Sequence, residues 1–192
     1  MKKGRSQRSS RKMKPVFLVF CEGGTEETYI NFLRLEYRLL IKIIPRITGL
    51  SISPSIIKRY IKAEQIDSND KIISFLMYDL DTESIVKKLA DCRDSINIAS
   101  NPSVELWFLL HIREQIASIS TGECIEKLRK ATEEWVYYKK GTLSDHQKKI
   151  LWDNRLIASD RANRLPDDFN PSSKIYLLID EMEKTKKISY ER

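Results

Sequence analysis

Glu22, Asp79 and Asp81 are the side chains in this sequence best placed to do chemistry. Each follows a short apolar run. Val16–Phe20 leads into Cys21-Glu22-Gly23-Gly24-Thr25-Glu26, and Lys71–Tyr78 leads into Asp79-Leu80-Asp81. If the two runs are neighbouring strands of an open α/β sheet, the three carboxylates converge beyond the strands' carboxyl ends, where such sheets gather functional groups. Three close carboxylates repel one another. A hard divalent cation removes that penalty, and an all-oxygen set suits Mg²⁺ or Mn²⁺. Alternation places both acids of Asp79-x-Asp81 on one side of an extended segment. Gly23 and Gly24 would let the backbone pass close to a phosphate. Together these parts suit metal-assisted phosphodiester chemistry.

Plainer readings stand beside this one. A D-x-D after a strand is often a turn or a helix-capping device. Glu26 in the first turn of a helix can simply complement the helix dipole. Glu105 is harder to set aside, because it lies in an otherwise apolar segment. A buried carboxylate there needs a cation or strong donors. His111 comes six residues later, about 600° around a helix, so the two do not share a face. On geometry alone His111 reads as a satisfied, partly buried histidine rather than a ligand. With two histidines and no paired cysteines, zinc hydrolase and Cys–His nucleophile schemes lack parts. Neither a Walker A sequence nor G-x-G-x-x-G is present, which argues against a nucleotide-driven motor or a dinucleotide enzyme.

The elements that must hold these groups follow from periodicity. Val16–Phe20 and Lys71–Tyr78 read as strands buried on both faces, as in a parallel sheet. Thr25 to about Leu40 has the spacing of an amphipathic helix. Residues 41–52, broken by Pro45 and Gly49, read as a connection. Ser53–Lys58 reads as an edge strand with Pro54 near its start, and 62–70 as a short helix or loop. Thr82 caps a helix to about Arg93. Ser95–Ala99 is a short strand, Asn101-Pro102-Ser103 a turn, and Val104–Ile112 an apolar helix. Residues 114–192 look helical and more polar, punctuated by Gly141, Pro166 and Pro171. The order implies an α/β class with a compact, mainly parallel sheet flanked by helices and a mostly helical C-terminal extension. The boundaries expected are a basic tail over 1–14, a core over 15–113, and a helical region over 114–192 packed on that core.

A length of 192 residues, 41% of them apolar, allows one domain with a real core. The net charge of +7 is unevenly placed. Seven of the 34 basic residues fall in residues 1–14 with no acid, and the other 27 balance 27 acids. The surplus therefore describes a tail, which can pair with nucleic-acid phosphates or merely solubilise. Three unclustered cysteines fit a reducing, cytoplasmic setting without disulfides. No apolar run reaches the roughly 18 residues needed to span a membrane.

Three motifs then carry a resemblance. Phe17–Glu26 resembles the opening "EGxTE" motif of Toprim domains in the OLD and RloB-like group. Asp79-Leu80-Asp81 matches the Toprim D-x-D, with Leu80 where a polar residue is often seen. Ser100–His111 resembles the longer "SNPxxExWxLLH" signature of the RloB-like (AbiLii-type) family. Tyr137-Tyr138-Lys139-Lys140 and Asn170–Ser173 resemble later blocks of that family. The resemblance implies a Toprim-like core and a metal-dependent nuclease of bacterial phage-defence and abortive-infection loci, often encoded beside an AAA-type ATPase partner. It implies Glu22 as general acid/base or metal ligand, with Asp79 and Asp81 as Mg²⁺ ligands. Glu26 and Glu105 would complete a second metal site lined by Asn101 and His111, and Lys139 or Lys140 would contact a phosphate. It further implies a missing helix, since the stretch between the two strong strands is shorter than in many Toprim domains. DNA and RNA stay equally open as substrate, as does oligomeric state. A non-catalytic nucleic-acid-binding subunit is the competing reading.

Overall fold

The computed structural model describes residues 15–37, 42–64, 71–167 and 169–190. The basic tail expected over 1–14 lies outside them. Four parallel strands form the central sheet in the order β2-β1-β3-β4. These are β1 (Val16–Cys21), β2 (Lys42–Ile47), β3 (Ile72–Met77) and the two-residue β4 (Ile96–Asn97). β1 pairs along its whole length on both sides, Val16 to Cys21 lying against Lys42 to Ile47 and against Ile72 to Met77. All six of its residues are buried. That is the environment its unbroken apolar run calls for, because alternation is lost when both faces are covered.

The two faces of the sheet sort by parity. Phe17, Val19, Cys21, Phe75 and Met77 join one apolar cluster with α1 (Gly24–Tyr37), α4 (Val104–Leu110) and helices of the C-terminal half. Val16, Leu18, Phe20, Leu76 and Tyr78 join a second cluster with α2 (Pro54–Ala63) and α3 (Glu83–Asp91). The expected class, a parallel α/β sheet flanked by helices with a mostly helical C-terminal part, is what the chain adopts.

Two local expectations are overturned. Residues 53–58 do not form an edge strand but open α2. Ser53 Oγ accepts the Ile56 N–H at 3.4 Å and Pro54 takes the first helical position. That pairing is a helix start, since the proline lacks only a donor that would be unpaired there anyway. Residues 41–52 are not a simple connection either. They hold β2 and a 3₁₀ turn over Gly49–Ser51. Pro45 interrupts the strand pattern, yet β2 lies at the sheet edge, where a missing donor is tolerated. The stretch between the two strong strands thus carries two helices and a strand, and the chain alternates strand and helix throughout its first half.

The C-terminal half adds α5 (Thr121–Arg129), α6 (Asp145–Asp153), α7 (Arg155–Asn163) and α8 (Tyr176–Tyr190). A short antiparallel pair, β5 (Ser100–Asn101) with β6 (Ser172–Ser173), ties this half to the sheet's end. The Ser100 and Ser173 hydroxyls meet at 2.8 Å. Cys124, Leu128, Trp135, Leu151, Ala158, Leu178 and Met182 share the first apolar cluster with β1 and α1. Among the described residues no helix is long and apolar enough to cross a membrane.

Candidate acidic site

The strand order creates the site. From β1 the chain moves one way to β2, then crosses back to β3 and continues to β4. The winding therefore reverses between β1 and β3, and ligand sites of open α/β sheets lie beyond the carboxyl ends at such a point. Glu22 follows β1 there, and Asp79 and Asp81 follow β3. The two loops are stitched together. The Glu22 N–H donates to Met77 O at 3.1 Å, and Glu22 Oε2 accepts the Asp79 N–H at 3.1 Å.

Asp79 sits in an isolated parallel bridge with Ser100. Its Oδ1 accepts the Val104 N–H, at the start of α4, at 2.9 Å. Burial pushes its carboxyl up to about 8, with Glu26, Glu105 and Glu22 adding like-charge repulsion and the Val104 amide opposing them. Burial also raises Glu22, where the Asp79 amide opposes it, Asp81 adds repulsion and Lys140 relieves some of it. Glu26 is nearly buried, and its Oε2 accepts the Gly23 N–H at 3.0 Å. It too is raised, mainly by burial and lastly by Glu22 and Glu105. Glu26 thus serves the helix start, as its plainer reading had it, while standing in the field of the other acids. Asp81 is exposed beside Thr82, whose Oγ1 accepts the Ile85 N–H and caps α3.

Glu105 is 0% exposed and has both kinds of partner that a buried carboxylate requires. Ser103 Oγ donates to its Oε2 at 2.7 Å, and the Tyr138 hydroxyl donates to Oε1 at 2.9 Å. The Lys140 ammonium stands 3.5 Å from Oε2, with its side chain 52% exposed. Lys139 is exposed next to it. The loop carrying these lysines is fastened to the first turns of α1. Thr25 Oγ1 accepts the Gly141 N–H, and Thr28 Oγ1 donates to Gly141 O, both at 2.9 Å. Gly141 has φ +82°, a backbone region that favours glycine.

Glu22, Glu26, Asp79 and Glu105 therefore lie in one another's field, with Asp81 at the edge and Lys140 beside Glu105. Glu22 and Asp79 each keep one carboxylate oxygen without a hydrogen bond among the described residues. That donor set fits a hard divalent cation. As the side chains stand, no three His, Cys, Asp or Glu groups among the described residues lie close enough to grip one ion. Each acid is turned instead toward its own donor.

Gly24 opens onto free space, where an added Cβ would meet nothing within 4 Å. Gly23 has its amide committed to Glu26. Asn101 lies in β5, one residue after the Asp79 bridge partner. His111 is only 2% exposed, its Nδ1 lies 2.8 Å from Trp107 O, and burial lowers it to about 3. Its Nε2 has no hydrogen-bond partner among the described residues. The ring is thus more deeply buried than the plainer reading expected, and satisfied at one nitrogen instead of both. Sequence reasoning missed Ser103, Tyr138 and Thr25. Ser103 at the N-cap of α4, two residues before Glu105, was the only local signal. The others act across chain separations that no local pattern reports.

The family model of RloB-like proteins matches residues 17–182, spanning both acidic motifs, the Ser100–His111 segment and the Tyr137–Lys140 block. Among solved structures, the C-terminal region of the Burkholderia pseudomallei OLD protein aligns with 88% of this chain and 98% of that one. The identity is 14% and the TM-score 0.38. No curated protein matches the chain.

Proposed function

The chain belongs to the RloB-like protein family, and from the gathering of its carboxylates we propose that it is a Toprim-type, Mg²⁺- or Mn²⁺-dependent nuclease that cleaves phosphodiester bonds of DNA or RNA. The observation that supports this is the placing of Glu22 and Asp79 side by side beyond the carboxyl ends of β1 and β3, at the switch point, with Glu26 and Glu105 pressing on Asp79. A cation bound there would neutralise charge on the phosphate and lower the pKa of an attacking water.

The remaining roles belong to the chain itself. Glu22, Glu26 and Asp79 would hold the cation, with Asp81 at the edge. Glu22, whose carboxyl is raised by its burial, would serve as general acid/base or as a ligand of that cation. Ser103 and Tyr138 saturate Glu105, whose charge keeps Lys140 over the acids. Lys140 in turn would meet a substrate phosphate as a point charge. Under this reading the protein serves antiphage defence of the abortive-infection type, with an AAA-type ATPase as its companion. Co-purification with such an ATPase from a common operon tests that part.

The test of chemistry is cleavage of plasmid, single-stranded DNA and tRNA in Mg²⁺ or Mn²⁺. Glu22→Gln and Asp79→Asn are each expected to lose at least a hundredfold in rate, in line with removing a charged group from such a site. Activity that survives both changes overturns the assignment. One observation favours a second reading, a non-catalytic nucleic-acid-binding subunit: the acids do not stand as a ready-made cage. That reading expects salt-sensitive binding untouched by either substitution.

A further inference from the structure

Two adjacent tyrosines in the loop over the acidic site are treated in opposite ways. Tyr138 is 1% exposed, holds Glu105 through its hydroxyl, and packs its ring 5.5 Å from Trp135 and 6.2 Å from Phe108. Tyr137 is 87% exposed and makes no ring contact or side-chain hydrogen bond among the described residues. A lone exposed aromatic is unremarkable on a free loop, but this loop is fixed on every side. Arg129 donates twice to Tyr138 O, at 3.2 and 2.9 Å. The Tyr138 N–H donates to Trp135 O at 2.9 Å. Gly141 is clamped to Thr25 and Thr28. Lys139 and Lys140 follow directly, both exposed, and Lys140 reaches within 3.5 Å of Glu105.

We infer that Tyr137 is a stacking platform, and that the site takes a strand with unpaired bases rather than an intact duplex. The inference rests on the nuclease reading and adds the substrate class to it. An exposed aromatic ring on a fixed backbone, beside two cations, is how proteins grip single strands: the base stacks on the ring while the cations track the backbone. Tyr137 lies one residue, about 3.8 Å between Cα atoms, from the tyrosine that touches Glu105. A base on Tyr137 would set its neighbouring phosphates beside the exposed Lys139 and Lys140, the latter 3.5 Å from Glu105. A paired base in a duplex offers no face to the ring. Fixing the loop in advance removes the ordering cost of binding.

The test uses the full chain with Glu22→Gln, so that nothing is cut in Mg²⁺, and labelled 20-nucleotide oligomers of mixed sequence as DNA, as RNA and as the DNA duplex. Fluorescence anisotropy should show tighter binding of the unpaired DNA or RNA than of the duplex. Adding Tyr137→Ala should weaken unpaired binding about tenfold and leave the duplex unchanged, whereas Tyr137→Phe should retain it. The DNA and RNA arms decide which sugar is preferred. Equal affinity with and without Tyr137→Ala, an equal loss on the duplex, or no binding of any oligomer overturns the inference. Cleavage by the wild-type chain that is indifferent to Tyr137→Ala would sink the platform and leave the nuclease standing. Stacking-dependent binding without cleavage would do the reverse.

Discussion

Asp79 accepts the Val104 amide through one oxygen, and its buried carboxyl feels the charge of Glu26, Glu105 and Glu22. With its carboxyl pushed up to about 8, against an ordinary value near 3.9, the folded, metal-free chain holds a proton that the unfolded chain has released. The stability this group contributes is full below about pH 4 and is lost as pH rises through about 8. The metal-free protein should therefore melt lower at pH 9 than at pH 6. Asp79→Asn keeps an acceptor for Val104 but removes the charge, and should shrink that difference by about 5 °C. Thermal melts of both proteins in a chelator, at the two pH values, check it. An unchanged difference would mean that the acids do not press on Asp79 as the geometry has it. The Asp79-x-Asp81 pair and Glu22 were legible from residue types and their place after apolar runs. The roles of Ser103 and Tyr138 were not, because a donor to a buried carboxylate is identified only by where it ends up.

At the scale of elements, strands β1 and β3 and helices α1, α3 and α4 were readable from their periods and caps. Elements β2 and α2 were not. Each holds a proline whose meaning depends on context: Pro45 is tolerable only because β2 is an edge strand, and Pro54 is favourable because it opens a helix behind Ser53. The junction between α1 and the 136–141 loop is the element contact with the clearest consequence. Thr25→Val keeps the side-chain shape of a residue only 8% exposed and strands the Gly141 N–H. It should cost about 1–3 kcal/mol, read by urea denaturation. If the site works as proposed, it should also weaken phosphate binding, by releasing the segment that carries Lys139 and Lys140. The expected loss of stability with unchanged affinity would separate the clamp from the site.

Over the whole molecule, one apolar cluster runs from β1 and α1 through α4 into α5, α7 and α8. The loop over the acids thus belongs to the same packed body as the strands beneath them. A cation that binds only the folded chain must stabilise that body. At a hundred times its dissociation constant the gain is about 2.7 kcal/mol, or about 5–10 °C for a chain of this size. Mg²⁺ or Mn²⁺ should raise the melting temperature by that amount, with an equal ionic strength of Na⁺ as control, and Asp79→Asn should abolish the rise. No shift with either metal would remove the cation from the proposed chemistry.

The α/β class, the two buried strands and the acids that follow each of them are written locally in the chain, in the period of apolar residues and in what directly follows. Packing alone makes β1 and β3 neighbours at a reversal of winding. It also closes off Glu105 with a tyrosine 33 residues away and anchors Gly141 on Thr25, 116 residues back. Such contacts follow from how the elements pack around shared apolar faces, and adjacent residues such as Tyr137 and Tyr138 acquire opposite roles only once that packing exists.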